Sequence, residues 1–213
     1  LMESYFFVPG TRLHKINDIR KLNISHIIID LEDAVKFSER EGILNKLILD
    51  PLFKNHYIRI PLYDVNNKLE LSIFNFLVQY GFRQFVFPKI QTSNDFERII
   101  PNVNSLSSNL RIILLLETCK FLFEVKDVLL KYKRLFVGIG LGSHDLMAEV
   151  GGEHDLRNLE FVRSYIIYLA RMINIEAIDI ASMELSDSEA YSQEILDGLY
   201  KGFDAKFFIH PWQ

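Results

Sequence analysis

The chain alternates short runs of apolar residues with longer amphipathic stretches along its whole length. A continuous apolar run is typical of a strand buried on both faces, and apolar residues three or four positions apart are typical of a helix packed on one side. The predicted strands are Phe6–Pro9, Ile27–Asp30, Ile58–Pro61, Phe85–Pro88, Ile112–Glu117, Leu135–Leu141, Ala177–Ile180 and Lys206–His210. The predicted helices are Leu13–Leu22, Glu39–Leu49, Leu69–Tyr80, Asn94–Ile100, Phe121–Tyr132, Glu160–Asn174 and Ser188–Tyr200.

This alternation predicts an α/β fold with a parallel sheet and right-handed crossovers. Eight strands in about 200 residues fit a closed (β/α)8 TIM barrel, whereas a doubly wound sheet of six strands would leave two unexplained. We expect a single domain over residues 2–213, with a surface loop at Asn102–Asn109. Two helices are predicted to begin at capping boxes, Ser38-x-x-Glu41 and Ser186-x-x-Glu189.

Composition narrows the function classes. The 213 residues include 28 acidic and 24 basic side chains, and a net charge of −4 offers no basic stripe for nucleic acid. No apolar stretch reaches the roughly 20 residues of a membrane helix. The single Cys119 excludes an internal disulfide, and no signal sequence opens the chain, so we expect a cytoplasmic protein. Leu1 precedes Met2 and is left out of these predictions as an extra residue.

Two acidic residues follow neighbouring predicted strands. Glu117 closes an apolar strand, where a carboxylate is costly to bury without a cation, and Asp145 follows a glycine-rich bend. Each could instead cap the next helix. Because the carboxyl ends of barrel strands meet at one face, the pair also suits Mg²⁺, which takes one or two protein carboxylates together with substrate oxygens and water.

Other charged residues at strand ends are candidates for anion binding. Arg59 faces the opposite way from Ile58 and Ile60, so it points either into the barrel, where a guanidinium can clamp a carboxylate, or into the helix layer. Arg12 lies where a turn leads into a helix, and it is either an anion-binding group or a solvated arginine. Lys89 could donate to an oxyanion, form a Schiff base or make a structural ion pair.

Glu32 and Asp33 follow the second strand as a pair, of which one could cap the helix while the other reaches metal-bound water. Three other signals are weak. Cys119 is better explained as a small buried residue than as a nucleophile. The glycines at 138, 140 and 142 lack the spacing of a dinucleotide fingerprint. His144 and His154 are not spaced as a zinc site.

Six segments, in this order and over nearly the whole chain, resemble the HpcH/HpaI aldolase and citrate lyase beta-subunit family. They are Phe7-Val8-Pro9-Gly10-Thr11-Arg12, Ile29-Asp30-Leu31-Glu32-Asp33-Ala34-Val35, Val86-Phe87-Pro88-Lys89, Leu115-Leu116-Glu117-Thr118, Gly142-Ser143-x-Asp145 and Ile209-His210-Pro211-x-Gln213. The resemblance implies a TIM barrel that cleaves or forms carbon–carbon bonds with Mg²⁺. Its reactions commonly join a 2-oxo acid and the acetyl or propionyl part of a coenzyme A or acyl-carrier thioester.

The resemblance also implies roles for individual residues. Glu117 and Asp145 fall on the metal ligands, and Arg59 falls on the arginine that holds the oxo acid. Arg12 falls on a substrate-binding position. Glu32 and Asp33 fall beside the direct metal ligands and are the candidates for the general base.

Two functions stay open from the sequence. The first is a Mg²⁺-dependent carbon–carbon lyase acting on a short 3-hydroxyacyl thioester such as citryl- or malyl-CoA, and both acidic ligands and Arg59 favour it. The second is a barrel that binds metal and oxo acid or serves assembly, with catalysis absent or dependent on a partner subunit. The chain ends at Gln213, where many relatives continue into a lid, and this favours the second. We expect a homo-oligomer in either case.

Overall fold

Eight parallel strands form a closed barrel in chain order in a computed structural model that describes residues 2–106 and 109–213. Each strand pairs with the next, and the last pairs with the first. The strands are β1 (Glu3–Pro9), β2 (His26–Asp30), β3 (Tyr57–Arg59), β4 (Gln84–Phe87), β5 (Arg111–Leu116), β6 (Phe136–Leu141), β7 (Glu176–Asp179) and β8 (Ala205–Phe208). The prediction of an α/β TIM barrel is confirmed.

Helices surround the barrel. They are α1 (Ile16–Arg20), α2 (Phe37–Leu49), α3 (Ser72–Gln79), α4 (Ser93–Leu106), α5 (Cys119–Lys131), α6 (Ser143–Val150), α7 (Leu156–Ile173) and α8 (Ser188–Lys201), with 3-10 turns at Gly10–Lys15 and Pro51–Asn55. Within the described residues, no helix is long and apolar enough to cross a bilayer.

Some helix predictions were wrong. The stretch predicted as one helix at 13–22 is a 3-10 turn followed by α1, and the short α6 was not predicted. Because α4 continues to Leu106, the first part of the predicted loop at 102–109 is helical, and residues 107 and 108 lie outside the described residues.

Neither predicted capping box forms. Helix α2 begins at Phe37, ahead of Ser38, and Glu39 accepts a hydrogen bond from the Lys36 N–H at 3.3 Å. At α8 the capping residue is Asp187, which accepts from the backbone N–H groups of Glu189 and Ala190. The motif therefore placed the cap of α2 two residues late and the cap of α8 one residue early, while the predicted start of α8 at Ser188 is confirmed. Asp caps a helix as well as Ser.

Alternation along the strands separates two packed layers. One apolar cluster fills the barrel interior, and a larger one lies between the strands and the helices. Interior positions include Ile28 on β2, Tyr57 on β3, Leu115 on β5, Ile178 on β7 and Phe207 on β8. Because side chains alternate along a strand, the residue two positions after an interior one also faces inward.

Charged residues between β7, β8 and the outer helices form a helix-layer cluster. Its members are Arg163, Asp179, Ser182, Glu194, Asp197 and Lys206. Arg163 donates two hydrogen bonds to Asp179, at 2.9 and 2.8 Å, and one to Asp197 at 2.7 Å. Lys206 donates to Glu194 at 2.7 Å and to the Ile180 carbonyl at 2.8 Å. These contacts tie α7 and α8 to the barrel.

Candidate functional site

The carboxyl ends of β2 to β6 bring together a group of charged residues, called here the mouth cluster. It consists of Asp30, Glu32, Asp33, Arg59, Lys89, Glu117 and Asp145. Six of the seven sequence-predicted site residues lie in it. The seventh, Arg12, is exposed and lines a separate cavity of about 420 Å³ together with Lys15, Ile209 and Pro211. Its substrate-binding role stays a prediction.

Asp30 and Arg59 form the pair at the centre of the mouth cluster. The two are register partners on β2 and β3, and each lies two positions after an interior residue, Ile28 and Tyr57. Arg59 donates from Nε to Asp30 Oδ1 at 2.8 Å and from one terminal nitrogen to Oδ2 at 2.6 Å. Its other terminal nitrogen lies 3.3 Å from Glu32 and 3.4 Å from Asp33. Arg59 therefore faces the mouth with its planar fork held by one carboxylate.

Asp30 also shapes the turn that follows β2. Its carboxylate accepts hydrogen bonds from the backbone N–H of Glu32 at 2.9 Å and of Ala34 at 3.3 Å. The same side chain thus orients Arg59 and places the Glu32–Asp33 pair. Asp30 was not predicted as a site residue, although its place two positions after Ile28 and beside Arg59 was a usable signal.

Lys89 connects the loop carboxylates to β5. Its Nζ donates to Asp33 at 2.7 Å and lies 2.7 Å from Glu32, and its backbone N–H donates to Glu117 at 2.5 Å. Its φ of 54° is in the left-handed region, which is uncommon outside glycine. Burial opposes the ammonium charge, but the hydrogen bonds to Asp33 and Glu32 outweigh it and raise the pKa of Lys89. A protonated amine supports binding and positioning and disfavours a Schiff base.

Glu117 is the more deeply buried of the two predicted metal ligands, Glu117 and Asp145. It lies two positions after Leu115, its exposed fraction is 2%, and Gly142 leaves it room because a side chain at 142 would collide with its carboxyl group. Burial, then the charges of Glu32 and Asp145, raise the pKa of Glu117 to about 8, while Arg59 opposes the shift. Neither Glu117 nor Thr118 caps α5 with its side chain, since Thr118 donates to the Ile90 carbonyl.

Glu32 and Asp33 respond differently to the same neighbours. Burial raises the pKa of Glu32 to about 7, against the opposing charge of Arg59 and the hydrogen bond from Lys89. Its Oε2 is buried without a hydrogen bond, although Arg59 lies 3.3 Å away. For the half-exposed Asp33, burial is outweighed by Lys89 and Arg59, and its pKa is lowered.

Asp145 reaches the mouth from the first turn of α6. It does not cap that helix, because the capping position is Gly142. Two cavities, of about 310 and 410 Å³, open at the mouth, and Asp145, Glu117 and Asp33 line both. The neighbouring imidazoles of His144 and His154 stack 3.9 Å apart, and His154 Nε2 lies 2.8 Å from the Ser143 hydroxyl.

The mouth cluster has more negative than positive groups. Five carboxylates, Asp30, Glu32, Asp33, Glu117 and Asp145, surround two cationic side chains, Arg59 and Lys89. In the described ranges, no group of three or more His, Cys, Asp or Glu side chains could hold a metal ion. A pair of carboxylates beside open space fits an ion that takes its other ligands from substrate and water.

Comparison with known proteins supports the same interpretation. The sequence model of the HpcH/HpaI aldolase/citrate lyase family matches residues 3–211. The chain belongs to this family. The predicted resemblance is thereby confirmed, and the expectation of an aldolase-type carbon–carbon lyase is confirmed at the level of the family.

Individual relatives of the HpcH/HpaI family are distant. The chain is 24% identical to the citrate lyase subunit beta of Haemophilus influenzae, covering 100% of this chain and 77% of that protein. It is 22% identical to the human mitochondrial citramalyl-CoA lyase, covering 99% of this chain and 68% of that protein. The solved structure of the CitE protein of Mycobacterium tuberculosis with magnesium, acetoacetate and coenzyme A shares the fold, with a TM-score of 0.81 and 22% sequence identity. The match covers 99% of this chain and 77% of that chain.

Proposed function

We propose that this protein is a Mg²⁺-dependent carbon–carbon lyase for a short 3-hydroxyacyl thioester with a carboxylate on its hydroxyl carbon. The products are a 2-oxo acid and an acyl thioester, carried by coenzyme A or an acyl carrier. The observation that carries the proposal is the excess of carboxylates around Arg59 at the mouth of a family barrel, with two cavities meeting at Glu117 and Asp145.

The residues present fit a divalent cation. Glu117 is buried with a raised pKa. The buried Glu32 Oε2 has no hydrogen bond, although Lys89 and Arg59 lie 2.7 and 3.3 Å from the Glu32 carboxylate. A bound cation would therefore lower the cost of burying Glu117 in its ionised form. Glu117 and Asp145 are the proposed ligands. A bound Mg²⁺ would supply Lewis-acid stabilisation of the oxygen that becomes the 2-oxo group.

The chain's own residues bind the acid and move the proton. Arg59, held by Asp30 and lying over the Phe7 ring at 5.0 Å, orients the substrate carboxylate. In cleavage, a carboxylate of the Glu32–Asp33 pair takes the hydroxyl proton. The bond between the hydroxyl carbon and the thioester α-carbon then breaks, its electron pair passes to the α-carbon as a thioester enolate, and a proton completes the acyl product. Asp33 lines both cavities and is the better placed of the two acids.

Turnover with defined variants tests the proposal. The purified chain, with Mg²⁺ and a 3-carboxy-3-hydroxyacyl-CoA, should release a 2-oxo acid, detected as its phenylhydrazone, and EDTA should abolish the release. Asp145→Asn should be inactive, whereas Glu149→Gln, one turn later on α6, should retain activity because Glu149 caps α5 at the Cys119 N–H. Full turnover in EDTA or by Asp145→Asn would contradict the proposal, and oxo-acid binding without turnover across protein concentrations would favour the binding-subunit alternative.

A further inference from the structure

The cavity beside Arg59 has a charged side and an apolar side. Its charged side carries Asp30, Asp33, Glu117 and Asp145 next to the guanidinium. An apolar part of the lining, called here the mouth floor, consists of Phe7, Leu115, Ala181, Phe207 and Ile209. It reaches Arg59 at the Phe7 ring, which lies 5.0 Å from the guanidinium. A small acid in a space of about 310 Å³ that reaches Arg59 therefore also contacts an apolar surface.

The mouth floor is fixed by packing. The rings of Phe7 and Phe207 lie 5.3 Å apart, and Phe207 belongs to the apolar cluster inside the barrel. Gly140 on β6 makes this possible, because a Cβ at that position would overlap the Phe207 ring. At Phe7, Leu115, Ala181 and Phe207 the floor is thus a continuation of the barrel core, whereas Ile209 is exposed at its rim.

Positive charge near the floor is scarce. Within the described part of the chain, Arg59 is the only arginine or lysine that lines this cavity. Lys89 lines the neighbouring cavity, where it binds Glu32 and Asp33. Asp30 holds Nε and one terminal nitrogen of Arg59, so the other terminal nitrogen is the one that can meet a ligand carboxylate. A second carboxylate on the same small acid would meet the apolar floor, the carboxylates of the mouth cluster, or Ser143 and His144, of which Ser143 is paired with His154 and His144 is stacked on His154. The floor and the carboxylates disfavour a second carboxylate, whereas the floor favours a short alkyl group.

We infer that the 2-oxo acid of this site is a monocarboxylate with a short apolar tail, of the pyruvate class, and not a dicarboxylate such as oxaloacetate. The inference rests on the proposed function and specifies its substrate. The corresponding thioester carries a methyl or another small alkyl group on the hydroxyl carbon. Glyoxylate, which lacks the tail, binds more weakly than pyruvate because it leaves the floor uncovered.

Calorimetric competition measures this preference. With Mg²⁺ saturating, pyruvate and 2-oxobutyrate should each bind at least tenfold more tightly than oxaloacetate, and pyruvate more tightly than glyoxylate. Oxaloacetate must be freshly dissolved, with its decay to pyruvate followed by absorbance. Equal or tighter binding of oxaloacetate would overturn the inference while leaving the proposed function intact. If no 2-oxo acid binds, the proposed function and the inference fall together.

A charge added to the floor tests its physical cause. Ile209 is 39% exposed, so Ile209→Arg should fold, and Ile209→Gln is the matched polar and neutral control. In Ile209→Arg, the affinity for oxaloacetate should increase at least tenfold relative to the affinity for pyruvate. In Ile209→Gln, pyruvate should still bind more tightly than oxaloacetate, as in the wild type. An unchanged preference in a folded Ile209→Arg, verified by its melting curve, would overturn the charge argument. Ala181→Val, which narrows the floor, should weaken 2-oxobutyrate more than glyoxylate, and equal weakening of both would count against the floor as the tail site.

Discussion

Two clusters of charged side chains lie on opposite sides of the barrel wall, and they differ in how completely they are neutralised. In the helix-layer cluster, Arg163 and Lys206 meet Asp179, Asp197 and Glu194, and Lys201 adds a further contact to Asp197 at 3.5 Å. In the mouth cluster, five carboxylates share Arg59 and Lys89, and burial raises the pKa of both Glu117 and Glu32.

The difference separates structural charges from functional ones. A buried pair with its hydrogen bonds complete fixes the geometry of a fold, and removing one partner leaves the other unpaired. A cluster with excess negative charge is less stable alone but gains when a cation binds. We therefore expect substitutions in the helix layer to affect folding and substitutions at the mouth to affect binding and turnover.

The largest expected effect on stability is in the helix layer. Arg163→Met removes the cation that binds Asp179 and Asp197, and the buried Asp179 loses its bidentate partner. The free energy of unfolding should fall by roughly 3–5 kcal/mol in urea denaturation. As a control, Arg171→Met removes a half-exposed pair with Asp204 and should cost about 0–1 kcal/mol. Equal losses from the two variants would remove the distinction between buried and surface pairs.

Glu117→Gln at the barrel mouth should lower activity and not stability, the opposite of the helix-layer substitution. Loss of a proposed metal ligand should lower turnover by at least about 10²-fold, equivalent to roughly 3 kcal/mol. Above pH 8, where Glu117 is ionised, the unfolding free energy without Mg²⁺ should be higher in the variant than in the wild type, because a buried charge that repels Glu32 and Asp145 is removed. Turnover and urea denaturation on the same preparation measure both, and a less stable variant at that pH without Mg²⁺ would show that Glu117 is structural.

The substrate arginine gives an intermediate effect. Arg59→Lys keeps the charge but loses the planar fork that Asp30 orients, so oxo-acid binding should weaken by about 1–3 kcal/mol in calorimetry. Lys201→Met, which removes a pair with Glu160 on the outer surface, is the control. Unchanged oxo-acid affinity in Arg59→Lys would remove Arg59 from the proposed site.

Much of the fold could be predicted from the sequence because successive side chains of a strand point to opposite faces of the sheet. The alternation of apolar runs predicted all eight strands. The apolar neighbours Ile58 and Ile60 left Arg59 two directions, the barrel and the helix layer, and in the structure it faces the barrel mouth. The same alternation of side chains sends Asp179, next to the interior Ile178, and Lys206, next to Phe207, outward into the helix layer.

What the sequence did not predict depends on contacts between distant segments. The Asp30–Arg59 pair requires the register of β2 and β3, and the left-handed backbone of Lys89 occurs where its N–H donates to Glu117, directly after β5. Arg12 was predicted for the site from its place after β1, yet the 3-10 turn that follows carries it to another cavity. The cap of α8 was misplaced because Ser186 and Asp187 are close in the sequence and cap a helix equally well.

The pH dependence of stability should differ between the two clusters. Since the pKa values of Glu32 and Glu117 are raised to about 7 and 8, the folded state holds protons that the unfolded state has released above their ordinary pKa of 4.5. Without Mg²⁺, the unfolding free energy should therefore fall as pH rises from about 4.5 to 8. Denaturation across this range should show the fall, and saturating Mg²⁺ or Glu117→Gln should flatten it. A rise over the same window without Mg²⁺ would contradict the charge excess.

The smallest expected effect separates the role of the Lys89 backbone from the role of its side chain. Lys89→Gly keeps the left-handed backbone and the N–H that binds Glu117, whereas Lys89→Ala retains a Cβ that this conformation disfavours. Both lose the contacts of Nζ with Glu32 and Asp33. The alanine variant should be less stable than the glycine variant by about 1 kcal/mol. Equal melting temperatures of the two variants would mean that the alanine variant has released the backbone strain.

The most direct test of the account is a calorimetric titration of Mg²⁺ into the wild-type chain and into the Glu117→Gln, Asp145→Asn double variant, with and without pyruvate. We predict one Mg²⁺ site in the wild type, tightened by pyruvate, and no binding to the double variant in either condition. The Glu149→Gln variant should behave as the wild type. Mg²⁺ binding of equal affinity to the wild type and the double variant would contradict the claim that the unbalanced carboxylates of the barrel mouth form the metal site.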